Sequence, residues 1–163
     1  MQRRSVLGLF GSTIALALGT AFAARPARAH HGWSSFDPDR PLYLKGRVKS
    51  VQWRNPHAEL ELELAPDLAL PADLQSRALP EQTTRIDGKA LLEKTRLPES
   101  KDRVWEIELA PLTRMKAWSV EPIAEGETIE LIGYTLADGS EPVLRAEWLF
   151  RDGKVYGMRS SPA

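Results

Sequence analysis

The sequence predicts an all-β domain with little helix, arranged as an OB-like five-stranded Greek-key barrel. Two observations support this prediction. Short segments alternate apolar with polar residues between turn residues, and a short helical pattern separates the third of these segments from the fourth. Three strands, a helix and two further strands follow one another in the order of the OB-fold. An open β-sandwich has the same periodicity and is the alternative.

The first predicted strand covers residues 42–53, and its apolar phase changes partway along. Leu44 and Val48 share one face, whereas Val51 and Trp53 continue one residue out of phase. A slip of one residue predicts a β-bulge between the two halves. The glycine at position 46 is typical of a strand that bends or lies close to another backbone.

The second predicted strand follows a turn at residues 54–56 and alternates cleanly over residues 57–64. Its leucines lie on one face, and Glu59, Glu61 and Glu63 lie on the other. Opposite charges across two strands contribute about 0.2–1 kcal/mol per pair. We therefore expect these glutamates to face basic residues of the first strand rather than a metal ion. The basic residues in question are Lys45, Arg47 and Lys49.

A charged, proline-containing insertion at about residues 66–102 separates the second strand from the third. Connections of this length in a small domain are usually surface insertions or lids. Helical patterns occur inside it at residues 72–78 and 88–95, the latter with Asp87 as N-cap. The later predicted elements are a strand at 104–109, a short helix at 111–119, strands at 128–136 and 143–150, and a C-terminal hairpin that turns at 151–154.

The N-terminus has the composition of an export signal. Arg3 and Arg4 precede an apolar stretch that ends in small residues, as in a twin-arginine signal peptide, with the general secretory route as the alternative. Small residues at Ala27 and Ala29 predict cleavage after residue 29, and cleavage after Ala23 is the alternative. We therefore expect residues 1–29 to be a signal, and residues 30–163 to be one domain of a periplasmic or secreted protein with no stable membrane span.

Charge and composition exclude several classes of function. Residues 1–29 contain four arginines and no acid, so 22 − 4 leaves 18 basic residues against 22 acidic ones, a net charge of about −4. Nucleic-acid binding requires a basic face, so we expect no nucleic-acid partner. The absence of cysteine excludes disulfides and thiol chemistry. No Ser-His-Asp arrangement and no phosphate-binding loop is evident, and we expect no enzymatic activity.

Several stretches resemble a bacterial family of exported proteins known as domain of unknown function 6152. The stretches are HHGWSSFD at 30–37, LKGRVKSV at 44–51, WRNPH at 53–57, GETI at 126–129 and ADGS at 137–140. The resemblance covers nearly the whole chain after the signal, apart from the insertion. It implies export and a mature protein that begins at the paired histidines, and it implies no activity.

The three histidines of the chain, His30, His31 and His57, form the candidate metal site. An N-terminal histidine offers its amine and its imidazole to one metal ion, and a further imidazole completes a set of nitrogen ligands that favours Cu(II). Asn55 or Glu59 would orient the His57 ring from outside the coordination sphere. Zinc is a second possible metal, and histidines that only support a turn are the alternative to a metal site.

Two tryptophans flank the histidine motifs. Trp33 and Trp53 are predicted either to form a stacking wall for a ligand or to close one end of the barrel. The sequence as a whole predicts an exported periplasmic binding protein that takes copper through an N-terminal histidine and His57. The alternative is a β-barrel module that binds a small ligand or a protein without a metal and without enzymatic activity.

Overall fold

The strands of the computed structural model belong to one sheet that closes on itself. The structure describes residues 32–163, and the predicted signal lies outside them. The strands are β1 (Phe36–Gln52), β2 (Glu59–Leu64), β3 (Val104–Glu108), β4 (Thr128–Leu136), β5 (Val143–Arg151) and β6 (Lys154–Gly157), and the helices are α1 (Gly88–Lys94) and α2 (Leu112–Ala117). Within residues 32–163, no helix has the length and apolar character needed to cross a bilayer.

The strand order is β3-β2-β1-β4-β5-β6, and a parallel pairing of β3 with β5 joins the sheet into a ring of five strands. The prediction of a mostly β chain with little helix is confirmed. The ring is compatible with the predicted OB-like barrel, since α2 lies between β3 and β4 in the chain as that fold requires. β6 pairs only with β5 and extends the ring by a hairpin.

β1 is long enough to pair with two neighbours. Its register with β2 shifts between Val48 and Ser50, which confirms the predicted bulge. The strand begins at Phe36, six residues earlier than predicted, and a second shift against β4 lies between Phe36 and Pro41. The two prolines in this part of the chain conceal a strand from periodicity, because proline cannot donate to a strand ladder.

The backbones of β1 and β2 approach closely at Gly46. A Cβ atom at this position would overlap the backbone carbonyl of Glu63 on β2. The predicted close approach of two backbones at Gly46 is therefore confirmed, and the neighbouring Arg47 lies opposite Glu63 as expected.

The bulge changes the other predicted charge pairs between β1 and β2. Lys49 is the extra residue of the bulge, and Ser50 takes the place opposite Glu61 and donates to its carboxylate at 3.0 Å. Lys45 lies opposite Glu130 of β4, and its Nζ is 3.0 Å from that carboxylate. The predicted pairings of Lys45 and Lys49 with the β2 glutamates were therefore wrong.

Two hydrophobic cores lie on opposite sides of the sheet. The inner core fills the ring and includes Trp105 of β3 and Met115 of α2. An outer core, defined here as the cluster between the insertion and the outward face of β1, β4 and β5, was not predicted. Its members are Phe36, Tyr43, Leu74, Leu91, Leu92, Ile132, Tyr134, Leu136, Val143, Trp148 and Phe150.

The insertion folds as the cover of this outer core. The predicted helix at 88–95 is α1, and Asp87 caps it by accepting from the Ala90 N–H at 3.0 Å. The helical pattern at 72–78 forms only a 3-10 turn over Leu74–Ser76. The segment at 72–78 is therefore less helical than the sequence predicted, although Leu74 within it is buried.

Shortening a leucine in the outer core tests whether the insertion is part of the folded unit. Leu92→Ala is expected to lower the free energy of unfolding by about 2–5 kcal/mol, because Leu92 is buried and its loss leaves a cavity. The same change at Leu70, which is 39% exposed, is expected to shift it by less than about 0.5 kcal/mol. Urea unfolding followed by tryptophan fluorescence measures both, and equal midpoints for the two variants would contradict a packed outer core.

Candidate functional site

His57 is held in place at the entry to β2. The next residue anchors it, because the Ala58 N–H donates to the carbonyl of Ala110 at 3.2 Å, and the Leu109 N–H donates to the carbonyl of Ala58 at 2.9 Å. The His57 side chain is 14% exposed, and its Nδ1 lies 3.3 Å from Oε1 of Glu59. A carboxylate close to one ring nitrogen favours a particular orientation of an imidazole.

The carboxylate of Glu59 lies beside the seam where β3 meets β5. The register of β2 and β3 places Glu59 opposite Glu108. Glu108 is buried and accepts from Nε of Arg145 on β5 at 2.7 Å. Directly opposite residues of an antiparallel pair lie on one face of the sheet, so His57 and Glu59 share their face with the Glu108–Arg145 ion pair.

Trp33 lies on the same outer surface, between two arginines. The guanidinium carbons of Arg145 and Arg159 lie 5.1 and 4.3 Å from the centroid of the Trp33 ring. Arg145 also lies over Phe36 at 4.8 Å, and Arg159 lies over Tyr134 at 5.6 Å. Cation–π contacts of this kind contribute about 0.5–2 kcal/mol each. They attach the beginning of the described chain to the outer wall of the barrel, although Trp33 itself is 37% exposed.

Arg159 connects this aromatic group to a buried carboxylate. Glu147 is fully buried and accepts from Nε of Arg159 at 2.7 Å and from Nε2 of Gln82 at 3.0 Å. Burial raises the pKa of Glu147 above its ordinary value, although Arg159, Gln82 and Arg114 act in the opposite direction. Burial, together with the charge of Glu147, raises the pKa of Tyr134 to about 12.

The other predicted site residues lie in different parts of the structure. Trp53 packs against the inner core and lines a cavity of about 350 Å³ beside α2, whereas Trp33 lies at the arginine pair described above. Asn55 is exposed in the loop before His57. Among residues 32–163, no three His, Asp or Glu side chains are grouped so that they could hold a metal ion. The predicted residues that lie outside the described part are His30, His31, Arg3, Arg4, Ala27 and Ala29.

A larger cavity, of about 570 Å³, lies elsewhere in the fold and was missed in the sequence. It is bounded by the start of β1, the segment that follows α1, and the loop between β4 and β5. These three segments are far apart in the chain and carry no shared periodicity. The only local signal was the mixture of prolines and charges at the end of the insertion, which a surface loop also shows.

Comparison with known proteins finds a family model that matches about a third of the chain. Residues 19–69 match the model of a family described as family of unknown function (DUF6152). Over these residues the chain is similar to that family. The DUF6152 match confirms the resemblance over residues 19–69, which include β1, His57 and β2, whereas the similar stretches at 126–129 and 137–140 lie outside the match. No curated protein and no solved structure matches the chain.

The raised pKa of Glu147 predicts a pH-dependent contribution to stability. The folded protein binds this proton more tightly than the unfolded chain, so the contribution is most favourable below the ordinary pKa of 4.5 and declines as the pH rises through the higher folded value. The difference in unfolding free energy between the wild type and Glu147→Gln should therefore fall as the pH is raised above about 4.5.

Urea unfolding at a series of pH values measures this difference. Glu125→Gln removes the same charge at an exposed position and controls for the change in net charge. If the difference in unfolding free energy between the wild type and Glu147→Gln stays constant from acid to neutral pH, burial does not raise the pKa of Glu147.

Proposed function

We propose that the protein is an exported, periplasmic binding protein that holds a copper ion through His57 and has no catalytic activity of its own. The observation that carries this proposal is the 3.3 Å approach of Glu59 Oε1 to Nδ1 of His57. Metal-binding histidines almost always have such a partner, which raises the basicity of the ring and holds it in one orientation.

The burial of His57 supports the same proposal. A side chain that is 14% exposed and anchored by backbone pairing at the next residue loses little rotational freedom when it binds a ligand. Neutral imidazole is a good ligand for Cu(II), and a set of nitrogen ligands favours copper over the harder divalent cations.

The other metal ligands in this proposal are inferred from the sequence. They are the amine and imidazole of His30, with His31 as a further donor, and all three groups belong to residues outside the described part of the chain. The free amine at His30 requires cleavage after Ala29, so export and metal binding are linked in one proposal. The signal features at Arg3 and Arg4 support that export.

A copper titration of the chain that begins at His30 tests the proposal. His57→Ala is expected to weaken copper binding by at least about tenfold, and Glu59→Gln by about tenfold, because the first removes a ligand and the second removes the group that orients it. Calorimetry in the presence of a competing chelator measures the affinities, and electron paramagnetic resonance shows whether one nitrogen ligand is lost.

Two controls sharpen this test. Glu61→Gln removes a carboxylate from the same outward face of β2 and should leave copper affinity unchanged, since Glu61 pairs with Ser50. One extra residue before His30 should weaken binding by displacing the free amine from the imidazole. Equal copper affinity in the wild type and in His57→Ala would contradict the proposal.

The alternative function, binding of a ligand without a metal, is supported by a different observation. A cavity of about 570 Å³ lies within the range of about 300–1,000 Å³ that is usual for small-molecule sites. Neither His57 nor Glu59 lines this cavity, so each of the two proposals can be tested independently of the other.

A further inference from the structure

The cavity near the start of β1 has an apolar portion in its lining, and residues packed against both hydrophobic cores contribute to it. Leu42 packs against the inner core, and Leu97 packs against the outer core. Trp105, a buried residue of the inner core, also lines the cavity, as do Pro98 and Pro142. An apolar lining of this kind accepts an aliphatic or aromatic group and gains from removing it from water.

The segment that borders the cavity is held in shape before any ligand binds. The Ser100 hydroxyl donates to the carboxylate of Asp102, and the Asp102 N–H donates back to that hydroxyl oxygen at 3.1 Å. The indole N–H of Trp105 donates to the carbonyl of Asp102 at 3.2 Å. A site that is ordered in advance loses less entropy on binding.

Some of the charges that line the cavity already have partners within the chain. Nζ of Lys94 lies 3.0 Å from Oδ1 of Asp39, and Nε of Arg40 lies 2.6 Å from Oδ2 of Asp37. These groups are close to neutral as pairs, so they do not select the charge of a ligand.

Arg96 and Glu99 are lining charges of opposite sign that form no ion pair within residues 32–163, and the Asp102 carboxylate, which accepts from the Ser100 hydroxyl, is a further lining charge. Arg96 donates from Nη1 only to the carbonyls of Glu93 and Thr95, at 2.7 and 2.9 Å, and thus keeps its net positive charge. In the part of the chain that the structure describes, Glu99 has no ion pair and no side-chain hydrogen bond. The two residues are three positions apart, so their Cα atoms are separated by at most about 10 Å.

We infer that this cavity binds a short apolar peptide with both ends charged, its carboxylate at Arg96 and its ammonium group at Glu99. Two or three extended residues span about 7–11 Å, which matches the largest separation between those two positions. The apolar side chains of such a peptide would lie against Leu42, Leu97 and Trp105. The inference is independent of the copper proposal, because none of its residues belongs to the His57 region.

The test uses the dipeptide Leu-Leu and two blocked forms of it, N-acetyl-Leu-Leu and Leu-Leu-amide, each titrated into the full domain by calorimetry. The unblocked dipeptide should bind about five- to tenfold more tightly than either blocked form, because each block removes one charged hydrogen-bond partner. Arg96→Gln should abolish the preference for the free carboxylate, and Glu99→Gln should abolish the preference for the free ammonium group.

Matched controls carry the same changes away from the cavity. Arg85→Gln and Glu125→Gln alter exposed residues that do not line it, and both should keep the wild-type preferences. Unchanged urea midpoints show that the variants are folded. The inference is overturned if Leu-Leu releases no heat at millimolar concentration, if a blocked form binds as tightly as the free dipeptide, or if Arg96→Gln and Glu99→Gln behave like the controls.

Discussion

Parallel pairing between β3 and β5 joins the two ends of the strand ladder, and it does so through only three register positions. Closure gives every strand an inner and an outer face. Ile107 and Leu144 face each other in the inner core, while Glu108 and Arg145, one position further on, pair on the outside. The apolar interior and the charged outer surface therefore depend on the same short β3–β5 pairing. A register shift of one residue would turn the apolar side chains outward and the charged side chains inward.

The outer face at this seam holds buried charge in an ordered arrangement. Removing a carboxylate and a guanidinium from water costs several kcal/mol per ion, and the cost is offset here by direct pairing of Glu108 with Arg145 and of Glu147 with Arg159. Both guanidinium groups also lie against the Trp33 ring. The aromatic ring covers the ion pairs from one side, and the ion pairs in turn fix the position of the chain at Trp33. This mutual dependence connects the start of the described chain to the wall that carries His57 and Glu59.

Local patterns in the sequence were enough to predict the features that depend on residues close together in the chain. The strands, the bulge in β1, the N-cap at Asp87 and the final hairpin were all predicted, and the hairpin turn has Asp152 and Gly153 at positive φ as its sequence indicates. Features that join distant segments were missed. The outer core, the partner of Lys45 on β4 and the arginines around Trp33 have no periodic signal, because each depends on which strand lies next to which.

The cavity follows from the presence of two cores rather than from a motif. The ring closes around the inner core, and the insertion covers an apolar outward face formed by β1, β4 and β5. The covering segment must then return from α1 to the start of β3, and on the way Arg96 pairs with Leu42 in a single parallel bridge. Beyond that bridge, residues 97–100 and Asp102 line the cavity together with Trp105 of the inner core. A gap with walls from two rigid cores keeps its shape, which is the property that a binding site requires.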